Sequence, residues 1–193
     1  MQAFSEISYY RPLANILLLA LNADYAVFNI ELKSLSQIAK RRVEVDIIIY
    51  DHKAQSLIAV EVKRRVDDVF EGLAKAIFNM LYADYSYLAL CEDARRLIDV
   101  ISQYIAPKVN VGILDIENLV SLNDALDIYM RQREEDEKRA LDYIKWFFRT
   151  RLVRHEAVRN NRIYRVKEDI VDELSTRYQI LKDKYQILEA GEL

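Results

Sequence analysis

Two short β-rich runs, each with an acid set among apolar residues and the second followed by an abrupt change of period, constrain this chain more than any other feature. Val43-Glu44-Val45-Asp46-Ile47-Ile48-Ile49-Tyr50 and Leu57-Ile58-Ala59-Val60-Glu61-Val62-Lys63 are rich in β-branched residues, and the polar stretch between them opens on the turn-forming pair Asp51-His52. They read as a hairpin. After Lys63 the apolar residues Val66, Val69, Phe70, Leu73, Ile77, Met80 and Leu81 fall three or four apart, which is the period of an amphipathic helix. A hairpin that runs into such a helix commits its surroundings to a sheet with helices packed on it.

The rest of the first 118 residues extends that pattern. Pro12 suits the first turn of a helix, and Leu13, Ile16, Leu17, Leu18 and Leu21 then form one broad apolar face ending near Asn22. Tyr25 to Leu32 reads as a strand, Tyr85 to Leu90 as a buried strand, Ala94 to Ile105 as a helix, and Val109 to Ile116 as a last strand. The expected class is α/β, a mixed central sheet flanked by helices, with residues 1–118 as its core. Residues 119–193 form a second unit: Ser121 and Asp124 suit a helix start, and no Gly or Pro intervenes before Gly191, so a helical C-terminal extension is expected. Its last helix places Ile170, Leu174, Tyr178, Leu181, Tyr185 and Leu188 close to a coiled-coil seam, which docks on its own domain or pairs two chains as a homodimer.

Composition narrows the chemistry. With three glycines, two prolines and one cysteine in 193 residues, disordered, collagen-like and disulfide-rich classes are excluded, and Cys91 alone builds neither a thiolate zinc site nor an iron–sulfur cluster. Any metal must be held by oxygen. Two histidines far apart in sequence, His52 and His155, support neither a Ser-His-Asp arrangement nor a helical zinc motif, and no glycine-rich phosphate loop is present, so no nucleotide cofactor is expected. The short apolar run Ile16 to Leu21 and the start without a basic leader predict a cytoplasmic protein, with no membrane association.

Against this background the acids in the hairpin stand out. Asp46 sits between Val45 and Ile47-Ile48-Ile49, and Glu61 follows Leu57-Ile58-Ala59-Val60, and a buried carboxylate is costly unless paired or bound to metal. Residues i and i+2 share one side of a strand, so Glu61 and Lys63 face the same way, and hairpin pairing brings Asp46 beside them. Two carboxylates and the Val62 carbonyl are hard oxygen ligands suited to Mg²⁺ or Mn²⁺, and Lys63 would orient or deprotonate water or neutralise developing charge. The alternative is a buried salt bridge of Lys63 with Glu61 or Asp46.

Asp46 followed by Glu61-Val62-Lys63, on the second and third of three strands after a helix, resembles the PD-(D/E)XK nuclease superfamily over roughly residues 5–116. The resemblance implies a restriction-endonuclease-like α-β-β-β-α-β core and a metal-dependent DNA nuclease, structure-specific toward junctions or flaps in replication, repair or recombination. It assigns Asp46, Glu61 and Val62 to metal, Lys63 to catalysis, and Glu6 on the first helix as a further acid of the catalytic site. Arg64-Arg65 and the helix leading into Tyr82-Ala83-Asp84-Tyr85 are similar to archaeal Holliday-junction resolvases and related archaeal virus nucleases. Where the family has a proline before the Asp, this chain has Val45. Where many relatives carry Gln and Tyr four residues apart on the following helix, it has Lys75 and Asn79, and Lys75 can still meet a phosphate.

Charge distribution adds candidate DNA contacts. Residues 145–167 hold eight basic residues against one acid: Lys145, Arg149, Arg151, Arg154, Arg159, Arg162, Arg165 and Lys167, interleaved with Trp146, Phe147, Phe148 and Tyr164. Such a segment binds phosphates without sequence preference. Equally, its aromatics can be core and its arginines can pair with the acids of 168–173 or of a partner chain. Lys40-Arg41-Arg42, just before the Asp46 strand, is a second candidate. A non-catalytic DNA-binding or architectural protein is the rival reading of the whole chain.

Overall fold

The computed structural model describes residues 5–40, 42–51, 53–160, 165–181 and 188–189, with the backbone alone described at 165–166, 175, 177–181 and 188–189. The chain is an α/β protein. Helix α1 (Ile7–Leu21) leads into strand β1 (Tyr25–Glu31), the short helix α2 (Lys33–Ala39), and the hairpin β2 (Glu44–Asp51) and β3 (Ser56–Lys63). Helix α3 (Val69–Asn79) then crosses to β4 (Tyr85–Cys91). An irregular helical connection, containing the turns α4 (Ile98–Val100) and α5 (Ala106–Val109), reaches β5 (Gly112–Ile116). Helices α6 (Leu119–Glu135) and α7 (Glu137–Phe147), strand β6 (Val153–His155), helix α8 (Arg165–Leu181) and strand β7 (Leu188–Glu189) complete the described chain.

One open mixed sheet has the order β6-β5-β4-β3-β2-β1-β7. Strands β1, β2 and β3 form an antiparallel meander, β3, β4 and β5 run parallel, and β6 returns antiparallel to β5. The parallel strands carry crossover helices because parallel neighbours cannot be joined by a tight turn. On one face α1, α6 and α7 cover Ile47, Ile49, Ile58, Val60, Val62, Ala89 and Leu114. On the other, α3 and the 92–109 connection bury Leu88, Leu90 and Ile113, while Leu57, Ala59, Ile48 and Val45 form a separate cluster that Ile170 of α8 closes.

Several elements depart from the sequence expectation. Helix α1 begins before Pro12, which lies inside it, and the buried tyrosines Tyr9 and Tyr10 of the preceding turn outweigh the one hydrogen bond that proline withholds. A short helix, α2, occupies the polar stretch before β2. The segment 119–193 is not helical throughout, since β6 and β7 supply the two edges of the sheet. The helical run that begins with α7 ends at Leu152, and β6 follows it directly. Of the coiled-coil seam, Ile170 and Leu174 pack on the chain's own sheet, and the side chains of Tyr178, Leu181, Tyr185 and Leu188 lie outside the described residues. Among the described residues no helix is long and apolar enough to cross a membrane.

Candidate metal centre at the open end of the hairpin

The β2–β3 ladder stops at the acids. Its last register pair toward this end is Ile47 with Val60, although continuing the register would put Asp46 opposite Glu61. On the other side of β2, the β1 ladder skips Asn29, which stands in the left-handed region at φ 46° between the pairs Phe28–Ile47 and Ile30–Val45. Continuing the ladder would set two carboxyl groups face to face, and the pairing stops there. The Asp46 carboxylate fills the gap, its Oδ2 accepting the Val62 amide at 2.7 Å in place of a ladder carbonyl. Asp46 thereby becomes a side-chain link between the splayed strands.

Glu61 and Lys63 lie on the α3 side of the sheet, opposite Val60 and Val62 under α1. Glu61 is fully buried and Lys63 is 6% exposed. The Lys63 ammonium donates to the Val62 carbonyl at 2.8 Å and lies 3.5 Å from Asp46 Oδ2 and 3.8 Å from Glu6 Oε2. Glu6 also accepts the Arg64 amide at 3.4 Å. Burial alone would lower the Lys63 pKa, but Asp46, Glu6 and Glu61 together hold it above the ordinary lysine value. Lys63 is therefore a fixed cation.

Glu61 is the opposite case. Burial, followed by the charge of Asp46, pushes its carboxyl up to about 8 against the stabilising Asn79 amide and Lys63. Asn79, 2% exposed on α3, donates its amide to Glu61 Oε1 at 3.0 Å, and Tyr82 donates its hydroxyl to Asn79 Oδ1 at 2.9 Å. Glu61 Oε2 has no hydrogen-bond partner. Helix α3 comes this close because residue 72 is glycine: a Cβ there would stand 2.5 Å from Lys63 Cγ and 3.0 Å from Leu88 Cδ1. Tyr10 of α1 lies beside Asp46, and burial together with that charge raises its phenol far above the usual range.

Glu6, Asp46, Glu61, Val62 and Lys63 thus meet at one place. Among the described residues no group of three His, Cys, Asp or Glu side chains stands together as a ready metal site. The reason is visible in the geometry, since the Lys63 ammonium already sits among the oxygens of Asp46, Glu6 and Val62. The donor set nevertheless suits a hard divalent cation: two carboxylates, a main-chain carbonyl and one buried carboxylate oxygen without a partner.

The expected phosphate contacts divide by location. Arg42 and Lys75 line one cleft of about 370 Å³ beside Asn79, with Glu44, Glu71 and Phe78 in its walls. There Arg42 pairs with Glu44 at 2.6 Å and Lys75 with Glu71 at 3.5 Å. Arg64 is held by Glu92 at 2.6 Å, Arg65 is exposed near Asp67, and Lys40 is exposed in the left-handed cap of α2. Lys145 is half-buried, and Arg149 and Arg151 are exposed at the end of α7.

The basic segment 145–167 does not form one surface. Arg154 clasps the buried Asp115 at 2.9 and 2.7 Å, and Arg95 binds the same carboxylate. Lys63, Leu90 and Asp115 are register partners across β3, β4 and β5, so this clasp lies about 10 Å from Lys63. Lys167 instead pairs with Asp84 at 2.6 Å and with the Gln55 carbonyl at 2.8 Å, and Arg159 lines the cleft there. That is the far end of β3, about 20 Å from Lys63. Arg41, Arg162 and His52 lie outside the described residues, and Arg165 is described in its backbone alone.

Sequence reasoning did not assign Gly72, Asn79 or Tyr82 to the site. One signal was available: Gly72 is one of three glycines and stands inside an amphipathic helical run, where glycine is unfavourable without a close approach to explain it. Comparison with family models, with curated proteins and with solved structures finds no match to this chain.

Proposed function

We propose that this chain is a metal-dependent DNA nuclease with a restriction-endonuclease-like core of the PD-(D/E)XK kind, and that residues 119–193 brace the core. The observation that carries the reading is the parting of β2 from β3 at Asp46 and Glu61, with Lys63 fixed between Asp46 and Glu6 and one Glu61 oxygen left over. The element order α1, β1, β2, β3, α3, β4, with the short helix α2 inserted between β1 and β2, and the parallel pairing of β3 with β4 support the fold.

Asp46, Glu61 and the Val62 carbonyl would hold Mg²⁺ or Mn²⁺. When bound, the ion supplies Lewis-acid polarisation of the phosphate and a more acidic water. Lys63, cationic because three carboxylates surround it, stabilises negative charge on the phosphate rather than acting as a base. Glu6, half-buried at the mouth, orients Lys63 and accepts the Arg64 amide. Arg42 and Lys75, in the cleft beside Asn79, suit the flanking backbone of a DNA strand.

The test is cleavage of labelled four-way junction, flap, duplex and single-stranded DNA with Mg²⁺ or Mn²⁺. Asp46→Ala and Lys63→Ala should each lower the rate by about 100- to 1000-fold or more. One observation favours the rival, a non-catalytic DNA-binding protein: the Lys63 ammonium donates to the Val62 carbonyl and closes the cluster without a metal. Salt-dependent DNA binding that needs no divalent ion and survives Asp46→Ala, with no cutting of any substrate, would establish that rival.

A further inference from the structure

The hydrogen-bond chain from Tyr82 through Asn79 to Glu61 links three buried polar groups. Asn79 and Tyr82 are each 2% exposed, and the Tyr82 ring packs in the cluster around Leu57 and Ala59. Buried amides and hydroxyls are tolerated only when satisfied, and here every hydrogen bond points the same way, from Tyr82 Oη to Asn79 Oδ1 and from Asn79 Nδ2 to Glu61 Oε1. The chain ends on a carboxylate whose second oxygen, Oε2, is buried and unpartnered. A device built only to satisfy Glu61 would engage both oxygens. This one engages the first, fixes the carboxylate plane and leaves the second free.

We infer that Asn79 is a positioning residue, anchored by Tyr82, which holds the Glu61 carboxylate so that Oε2 presents itself to a divalent cation shared with Asp46 and Val62. The inference rests on the nuclease reading and deepens it. Three features of the fold serve the arrangement. Asn79 is the last residue of α3, so its side chain leaves the helix where no intrahelical neighbour competes for it. Tyr82, three residues on in the turn before β4, reaches back to it. Gly72 lets the whole helix lie against the Lys63 stem, which brings its C-terminal end within hydrogen-bond reach of Glu61. Second-layer partners of this sort fix ligand orientation, and their loss weakens metal binding by about 10- to 100-fold.

The experiment is Mn²⁺ binding by the full chain, measured from the resonance of free Mn²⁺ well below the melting temperature, with the metal-free melting temperature recorded for every variant. Wild type should bind and Asp46→Ala should not. Asn79→Leu, with the same branched skeleton but without the amide donor, should weaken Mn²⁺ binding by about 10- to 100-fold. Tyr82→Phe, which removes one hydroxyl and keeps the ring, should weaken it by a smaller factor, with Asn79 loosened but present. A purely structural pair would lower the melting temperature of both variants and leave the Mn²⁺ dissociation constant unchanged, and that result overturns the inference while sparing the nuclease reading. If Asn79→Leu does not fold, an unchanged dissociation constant in Tyr82→Phe overturns it equally. Wild type that binds no Mn²⁺ overturns the nuclease reading itself.

Discussion

Glu61 and Asp115 are both buried acids at the same end of the sheet, on strands β3 and β5 with β4 between them, and the chain treats them in opposite ways. Asp115 is saturated: Arg95 and Arg154 grip it from the 92–97 turn and from β6. Burial alone would raise its pKa, yet the two guanidinium groups hold it below the ordinary carboxylate value. Glu61 receives one neutral amide, keeps one oxygen without a partner, and is pushed up to about 8 by burial and then by Asp46. A saturated buried acid is a clamp, here joining β5, β6 and the connection between β4 and β5. An unsaturated one costs stability in the free protein, and on the proposed nuclease reading a bound cation would relieve that cost.

The largest test of this contrast is the pH dependence of stability without metal. Because the folded Glu61 carboxyl titrates near 8 and the unfolded one near 4.5, the folded state retains a proton that the unfolded chain has released. That stabilisation is complete below about pH 4.5 and is lost as pH rises through about 8. Glu61→Gln should therefore match wild type in urea unfolding at pH 4.5 and exceed it at pH 9 by roughly 4 kcal/mol. Adding Mn²⁺ at pH 8 should stabilise wild type and leave Glu61→Gln unmoved. A difference between the two that does not vary with pH would break the comparison.

Asp115 should behave with the reverse sign. Its lowered pKa gives stability that is present above about pH 4 and lost as pH falls through the folded value. Asp115→Ala should cost about 3 kcal/mol at pH 7, at the lower end for a broken buried pair because Arg95 and Arg154 are partly exposed and regain water. Equilibrium unfolding in urea measures it. A loss below about 0.5 kcal/mol would mean the clasp holds nothing together.

How much of this was legible in the sequence differs between the two acids. Asp46 and Glu61 could be read because each breaks a β-branched run, and Lys63 because strand residues two apart share a face. The parting of the strands at Ile47 and Val60 could not, since register opens through a balance of charge and backbone pairing that no local pattern encodes. Asp115 looked like an ordinary strand residue in Ile113-Leu114-Asp115-Ile116, because its partner Arg154 is 39 residues away. The basic segment was visible as charge, but Arg154 and Lys167 pair with buried acids of β5 and the turn before β4, not with the nearby acids of 168–173. Strands β6 and β7, three and two residues long, are too short to carry a period. The sequence pattern of the extension therefore predicts helices and no strand.

Gly72 connects the two regions' logic, since it sets how closely α3 approaches the functional side. Gly72→Ala would place a methyl group 2.5 Å from Lys63 Cγ, inside any tolerable contact. Alanine favours a helix interior, so the helix itself gains, and only the crowding of Lys63 and Leu88 opposes it. The net loss should be about 1 to 2 kcal/mol, the overpacking cost less the propensity gain. Lys63 must then shift from Asp46, so on the proposed nuclease reading DNA cleavage should fall more steeply than stability does. Equal stability and cleavage to wild type would show that α3 stands further from Lys63 than the site requires.

The smallest effect probes the remaining brace, far from either acid. Glu173 of α8 accepts the amides of Lys33 and Ser34 at 2.9 Å each and the Ser34 hydroxyl at 2.7 Å, capping the N-terminus of α2 from another helix. Helix α2 has no side-chain cap of its own at Leu32, so its first amides depend on Glu173. Glu173→Ala should cost about 1 kcal/mol in urea unfolding and leave cleavage unchanged, because Glu173 touches none of the groups around Lys63. The carboxylate here resembles Asp115 in being fully engaged, and it differs in being partly exposed, where water replaces what is lost. A cost much above 1 kcal/mol would mean that α8 is held to the sheet chiefly through this cap, and that Ile170 and Leu174 contribute little to its docking.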